Sequence, residues 1–538
     1  MFFGKHRFLI ILVELPVLYW SYDRMNIDIG IIIAFALYFV LVLGIGYYFY
    51  HRTHSMEDYV LGGRELNPYV SAMSAQASDM SGWLLLGLPG AIFVAGLGEI
   101  WIGIGLAIGS YLAWLFVAKR LRVYSEKCGN ALTVPEFFSN RFRDEKGYLR
   151  LVSSIVILVF FTFYVTSGFV SGGNVFISIF GDIDYKVAVL ITASIIVVYT
   201  FMGGFKAVCW TDFVQALLML IAIIVVPLAA LGQIDGGWGH MVDIVNSEVD
   251  HFTSLGWDAG EPLTFIVLVS CLAWGLGYFG MPHIIVRYMA ISKPEEVKVA
   301  RRVGTAWIII ALTGAALIGM IGHAWAVSNG VVITNPERIF LEIIGSGLFV
   351  SVIAGVLYAA LMAAVMSTAD SQLLVASSAI TNDLYAKYAK GDASDEKLMW
   401  ISRGVVVAVA IIAAIFALDE NSSIMNLVSF AWSGFGAAFG PIMILALFWK
   451  RINAKGALAG MLTGFIVDVL WNTFFKAGGI IPGLLKVDWC VWNSGLYELL
   501  PAFILAFVAA IVVSLLTEEP SEEMQKEFDE ATEGNFWD

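Results

Sequence analysis

The sequence predicts an all-α polytopic membrane protein with about 13 transmembrane helices. Three observations carry that prediction. Of the 538 residues, 59% are hydrophobic, and the mean hydropathy is +0.81. Charged residues make up 14%, against about 25% in a soluble chain. Apolar runs of bilayer length recur from one end of the chain to the other.

In order, the predicted spans cover 27–50, 69–95, 98–118, 151–180, 185–203, 207–231, 263–289, 303–328, 344–380, 400–418, 425–449, 455–476 and 496–517. The segment 344–380 is longer than a bilayer needs and is expected to run on past the membrane. Lysine and arginine collect in odd-numbered connections. The third holds Lys119, Arg120, Arg122, Lys127, Arg141, Arg143, Lys146 and Arg150; the seventh holds Lys293, Lys298, Arg301 and Arg302. The sixth connection, 232–262, has no lysine or arginine but carries Asp235, Asp243, Glu248, Asp250, Asp258 and Glu261. Positive charge marks the cytoplasmic side. The chain is therefore expected in the cell membrane, multi-pass, with its N-terminus outside and its C-terminus inside.

One membrane domain, 25–517, accounts for nearly everything. In residues 1–24, Lys5, His6 and Arg7 precede an apolar run broken by Glu14 and Pro16. The run is short for a span and resembles a signal peptide without a cleavage site. The other reading is that Met25 is the true start and 1–24 a dispensable extension. Residues 518–538 are strongly acidic and read as a short solvated cytoplasmic tail. Within the third connection, Thr133 and Pro135 are placed to cap and start a short helix on the cytoplasmic surface.

Several function classes are argued against. Net charge is −13, with no basic patch suited to nucleic acid. Cys128, Cys209, Cys271 and Cys490 are scattered and form no CxxC pair, so neither a metal site nor a disulfide framework is expected. Candidate nucleophiles such as Ser367 have no histidine base in the same segment, and no phosphate-binding glycine loop follows a strand. No enzyme is expected, and no obligatory protein partner is evident beside the lipid bilayer.

The second span breaks the rules for a plain spanning helix. It carries Asp79 among Ser74, Ser78 and Ser81, then Gly82, Pro89 and Gly90. A charge at bilayer depth costs about 2.5 kcal/mol or more, so it faces protein or water. Freed backbone carbonyls are tolerated there only where they line a cavity. The seventh span, with Gly275, Gly277, Gly280 and Pro282 within a few residues, reads as a second broken helix; Trp274 and Tyr278 share one of its faces. In the ninth span Ser367 and Thr368 can reach one point beside the helix, or bond back to their own helix carbonyls. Hydroxyls with carbonyls make an all-oxygen site suited to a monovalent cation. Asp212 opens the sixth span as either a cation relay or an N-cap carboxylate. Arg64, just before the second span, is either a gate charge or a positive-inside anchor. His283 reads as a capping or interfacial group. Two broken helices flanking a hydroxyl-bearing one is the arrangement an alternating-access transporter needs.

Six motifs carry a resemblance: DYVLGGR (Asp58–Arg64), ASDMSGWLLLGLPGA (Ala77–Ala91), WTDFVQA (Trp210–Ala216), WGLGYFGMPH (Trp274–His283), AAVMST (Ala363–Thr368) and SFAWSGFGAAFGP (Ser429–Pro441). From about residue 30 to its end the chain resembles the sodium:solute symporter family, and within it the proline branch. The resemblance implies a LeuT-type core of five-plus-five inverted helices, spans two to eleven, with one extra N-terminal and two extra C-terminal helices. It implies sodium-coupled import of L-proline, or of another small solute such as a different amino acid, carboxylate or sugar; a transporter-like membrane sensor is a more distant alternative. It implies a sodium site on the carbonyls of Ala77, Met80 and Ala364 and the hydroxyls of Ser367 and Thr368. Substrate positions map to Ser81, Gly82, Trp83, Tyr164, Trp274, Tyr278 and Pro282, with the solute carboxylate on free N–H groups near Ser81 and Gly82. Asp79, Arg64 and Asp212 map to coupling or gating positions. Two features depart from the pattern: residues 1–24 have no counterpart, and Asp370 stands where a small neutral residue is expected, which would strengthen cation binding or add a second cation site.

Overall fold

Hydrogen bonding inside hydrocarbon leaves helices as the economical way to cross it, and the computed structural model is built of them. It describes residues 28–181, 183–388, 394–485 and 489–533; the N-terminal segment 1–24 lies outside these. Eleven helices are long and apolar enough to cross a membrane, a bent pair adds a twelfth, and the shorter apolar helix Tyr185–Phe201 makes thirteen among the described residues.

We number the spans in chain order: α1 (Ile29–Tyr50), α2 (Pro68–Gly82, continued by Leu88–Ala95), α3 (Ile100–Leu112, prolonged to Lys127), α4 (Tyr148–Phe180), α5 (Tyr185–Met202), α6 (Phe205–Leu231), α7 (Phe265–Ala273 and Pro282–Ala290), α8 (Val297–Ser328), α9 (Ser351–Ser378), α10 (Asp395–Ala417), α11 (Ile424–Phe448), α12 (Ala454–Phe474) and α13 (Leu499–Leu516). Local chemistry sets many of the starts. Asn67 caps α2 with Pro68 in its first turn, and Asp184, Ser423 and Asn453 cap α5, α11 and α12.

Burial sorts centre from rim. In the most apolar stretch of each helix, 83% of α2, 83% of α9 and 94% of α11 is buried, against 33% of α1 and of α13. The exposed side chains of α1 include Ile32, Ile33, Leu37, Val40 and Leu41, a surface that suits lipid. The broken helices α2 and α7 each open a set of five spans, α2–α6 and α7–α11, the layout of a five-plus-five core.

Three expectations change. The predicted 344–380 span does not start at 344. Gly347 takes a left-handed conformation, φ 86°, Phe349 and Val350 are extended, and α9 begins at Ser351. Residues 344–348 belong to a preceding short helical segment that starts at Ile339. At its C-terminal end the helix does run on, to Tyr385.

The tail is not simply solvated. Glu522–Thr532 is a helix that buries Met524, Phe528 and Ala531. Arg143 pairs with Glu527 at 2.6 Å, Lys450 with Asp529 at 2.5 Å, and the Arg141 guanidinium lies 5.2 Å over the Phe528 ring. The acidic composition hid an apolar stripe at helical spacing.

His283 is neither capping nor interfacial. It is fully buried, edge-on to Phe161 and Tyr164 at 5.5 and 6.0 Å. The helix expected around Thr133 forms as Val134–Arg141, with Thr133 as its N-cap and Pro135 in the first turn.

Candidate functional site

The break in α2 is at Ser81, whose backbone takes φ 36°, ψ −166°. A non-glycine residue held there costs about 1–3 kcal/mol, so its neighbours must fix it. They do so from α9. The Ser81 N–H donates to Thr368 Oγ1 at 3.0 Å; Ser367 Oγ donates to the Ala77 carbonyl at 2.9 Å and reaches the Ala364 carbonyl at 3.2 Å; Thr368 Oγ1 lies 3.3 Å from the Ala77 carbonyl. Both hydroxyls therefore cross to α2, and only Ser367 also turns back on its own helix. The Met80 carbonyl accepts the Trp83 N–H. Gly82 is pressed against α4, where an added Cβ would stand 2.2 Å from Ser171 Oγ.

The break in α7 is made differently. Trp274–Phe279 forms a 3₁₀ turn between the two half-helices. Its glycines are demanded by close approach: a Cβ on Gly275 would meet the Gly105 carbonyl at 2.2 Å, and one on Gly277 would meet Trp432 at 2.0 Å. Trp432 Nε1 donates to the Trp274 carbonyl at 2.7 Å, satisfying a carbonyl that the turn releases.

Asp79 joins the two breaks. Tyr278 donates its hydroxyl to the Asp79 carboxylate, and Tyr164 from α4 donates to the Asp79 carbonyl at 3.1 Å. Beside them Asp79, Met80, Trp83, Leu106, Tyr164, Trp274, Val428 and Trp432 line a cavity of about 10 Å³, room for about one water. A wider cavity of about 670 Å³ is lined by Gly87, Gly90, Asn174, Glu337 and Arg338 among others. The space bordered by Thr133, Pro282, Val286 and Asp383 is only about 10 Å³.

The family model for the sodium:solute symporter family matches residues 59–464. The chain belongs to that family. It is 46% identical to the high-affinity proline transporter PutP of Bacillus subtilis, covering 91% of this chain and 98% of that one. It is 44% identical to the osmoregulated proline transporter OpuE of the same organism, covering 92% and 96%, and 42% identical to the sodium/proline symporter of Escherichia coli, covering 94% and 97%. Among solved structures, a Na⁺-coupled sialic acid symporter in a substrate-bound outward-open state superposes with a TM-score of 0.75 at 20% identity, covering 92% of this chain and all of that one; this likeness carries the fold.

Against the family-based expectations, the structure gathers most residues and moves some. Ala77, Ala364, Ser367 and Thr368 converge. Trp83, Tyr164 and Trp274 share the small cavity with Asp79 and Met80. Pro282 does not join them: it starts the second half of α7 and borders the small space beside Thr133 and Asp383. Tyr278 reaches the group through Asp79. The expected free N–H groups are taken, Ser81 N–H by Thr368 and Trp83 N–H by Ser81 Oγ at 3.1 Å.

Asp212 is no N-cap. α6 starts at Phe205, and Asp212 lies two turns inside it, fully buried. It accepts Ser74 Oγ at 2.6 Å and pairs with Arg287 at 3.2 Å. Arg287 also donates to Ser371 Oγ at 2.6 Å and to the His283 carbonyl at 2.6 Å. Asp370, one turn along the hydroxyl stripe of α9, is fully buried with neither oxygen hydrogen-bonded, within electrostatic reach of Asp212 and Arg287.

Arg64 is a buried clamp, not a surface anchor. Its backbone is left-handed, φ 54°, and its guanidinium donates to Ser125 Oγ at 3.0 Å and to the carbonyls of Met289 and Ala131 at 2.7 and 2.8 Å. Burial pushes its pKa down to about 10, so it stays charged at neutral pH. Nearby, Leu66 bridges in parallel to Ile291, tying the start of α2 to the end of α7.

Sequence reasoning missed Arg287 and Glu337. The charge of Arg287 sits inside a predicted span, which was the available signal. Glu337 gave none: its oxygens receive Ser423 Oγ and the N–H groups of Ile424 and Met425, each at 3.0 Å, capping α11 from a distant connection.

Proposed function

We propose that this family member is a sodium-coupled secondary active importer of L-proline, working by alternating access in the cell membrane with its N-terminus outside and its C-terminus inside. The observation that carries the reading is the meeting of two α9 hydroxyls with the Ala77 carbonyl at the strained Ser81 break, beside Asp79. Sodium takes the carbonyls of Ala77, Met80 and Ala364 and the hydroxyls of Ser367 and Thr368. The hydroxyls turn their protons away and offer lone pairs, and a donor set of neutral oxygens suits a hard monovalent ion. Because Thr368 also accepts the Ser81 N–H, the ion and the break share one residue, and binding the ion fixes the geometry the solute meets. Asp212, Arg287 and Asp370 form the coupling station one turn further along, where Arg287 pairs with Asp212 and leaves the buried Asp370 carboxyl unpartnered.

Proline's ring lies against Trp83, Tyr164 and Trp274. The proline and sodium/proline names of relatives at 41–46% identity support that solute. A cavity of about 10 Å³ requires aromatic side chains to part before a ring enters, which makes loading a conformational step. One charge moving through 100 mV supplies about 2.3 kcal/mol, and a tenfold sodium gradient adds about 1.4 kcal/mol. Together these support accumulation of about several hundredfold.

The test is uptake of radiolabelled L-proline into proteoliposomes under an inward sodium gradient, with potassium as the control. Sodium-dependent accumulation is expected. Uptake that potassium supports equally removes the ion assignment, and no proline uptake under any gradient removes the solute.

A further inference from the structure

Trp274, the one solute-facing aromatic on the α7 break, is backed from outside the ten-helix core. The ring of Tyr497 stacks on it, with centroids 5.1 Å apart and planes 17° from parallel. Tyr497 does not line the solute cavity. It lies in the connection just before α13, one of the two spans that follow the core.

This residue is held unusually firmly. Its hydroxyl donates to the Ser429 carbonyl of α11 at 2.7 Å, and its N–H donates to Ser270 Oγ of α7 at 3.0 Å. The next residue, Glu498, is fully buried and takes Lys476 at 2.9 Å and Asn472 at 2.8 Å. The ring is thus anchored at both ends, and its backbone is pinned to α7 and α12. A side chain fixed in this way transmits position, since a packed interior does not yield continuously. Trp274 is itself buried, and among the described residues its other ring neighbour is Trp83 at 5.9 Å. Its carbonyl is fixed by Trp432, a hydrogen bond that holds the backbone and not the indole, so the Tyr497 face is the wall against which the indole rests.

Resting on the proposed proline reading, we infer that Tyr497 is a positioning residue for solute selection: by stacking on Trp274 it sets how far that indole projects into the cavity, and so which ring size is accepted. The α12–α13 segment then has a role in selectivity although it contributes no atom to the solute site.

Three variants test this by uptake of L-proline and of its six-membered homologue, piperidine-2-carboxylate, into proteoliposomes under an inward sodium gradient. Tyr497→Phe keeps the stack but gives up the hydroxyl anchor on the Ser429 carbonyl, and its KM and selectivity should lie between those of the parent and of Tyr497→Leu. Tyr497→Leu frees the indole. It should raise the proline KM about fivefold, from the loss of an aromatic pair, with kcat and sodium dependence kept, and it should shift the uptake ratio toward the larger ring. Tyr497→Trp pushes Trp274 inward and should shift the ratio the opposite way. A purely structural role would lower kcat and folded yield for both solutes alike and leave the ratio unmoved; that result overturns the inference, as does a parent-like KM and ratio in Tyr497→Leu. Should Tyr497→Leu fail to reach the membrane, the ratio in Tyr497→Trp decides by itself, and a parent-like ratio there overturns it. Sodium-dependent proline uptake by the parent, read in the same vesicles, tests the underlying function separately; a parent that carries neither solute removes both.

Discussion

The two broken helices interrupt the membrane in different ways. α2 is broken by a strained residue, Ser81, that hydroxyls of α9 hold in place. α7 is broken by close packing: a 3₁₀ turn whose glycines touch the backbone of α3 and the indole of Trp432. A break held by hydrogen bonds can respond to an ion that competes for the same oxygens. A break held by sterics stays broken whatever binds. The first therefore suits the ion and the second the solute wall, with the Tyr278–Asp79 hydrogen bond joining them.

The sharpest way to attack the packed break is Gly277→Ala. The added Cβ would stand 2.0 Å from Trp432 Nε1, and overpacking of this kind costs about 1–3 kcal/mol or more. Folded yield and thermal stability should fall equally with and without sodium. Recovery by sodium would mean that the α7 break also responds to the ion.

At the hydrogen-bonded break, Ser367→Ala combined with Thr368→Ala should behave in the opposite manner. Sodium-driven uptake should drop by at least the ~10–100-fold that follows loss of an outer-shell metal partner. The melting temperature in potassium should fall modestly, because the buried Ser81 N–H loses its acceptor at a loss of about 1–3 kcal/mol, while the rise produced by sodium, worth about 2.7 kcal/mol at a hundred times Kd, should vanish. Retained stabilisation by sodium would remove these hydroxyls from the site.

The link between the breaks is read by a cycle of Asp79→Asn, Tyr278→Phe and the double variant. Tyr278→Phe removes this hydrogen bond and Asp79→Asn replaces its carboxyl acceptor by a weaker amide one; each should slow uptake about 10–100-fold, about 1.5–3 kcal/mol. The double variant should be little worse than either single one; full additivity would mean that the two residues act separately.

The smallest effect is expected far from both breaks. Reversing Glu527 to Arg turns its pair with Arg143 into repulsion, but Arg143 is exposed, and such pairs are worth about 0.2–1 kcal/mol. Uptake should change less than about twofold at physiological salt. Restoration by Arg143→Glu would confirm the docked tail helix as the partner.

The spans, the two breaks and the Ser367–Thr368 pair were legible because each leaves a local mark: an apolar run, a glycine–proline cluster, adjacent hydroxyls. The Asp212–Arg287 pair was not legible. Its members lie 75 residues apart on α6 and α7, and nothing near Asp212 in the chain separates a buried ion pair from a helix cap. The tail helix was missed because counting charge obscured Met524, Phe528 and Ala531 on one helical face. Pro282 maps to the solute positions by resemblance, yet it opens the second half of α7 beyond the 3₁₀ turn and lies beside Thr133 and Asp383.

By itself, the sequence determined that this chain crosses the membrane about thirteen times, which helices cannot remain regular, and which hard-oxygen donors are available. These follow from solvation, and solvation acts residue by residue. Only the tertiary structure decided which donors meet. It brought Thr368 to the Ser81 N–H, gave Asp212 an arginine, left Asp370 with none, and set Tyr497 behind Trp274. Those outcomes depend on how helices distant in sequence pack against one another, and close packing is a property of the whole assembly that no single segment contains.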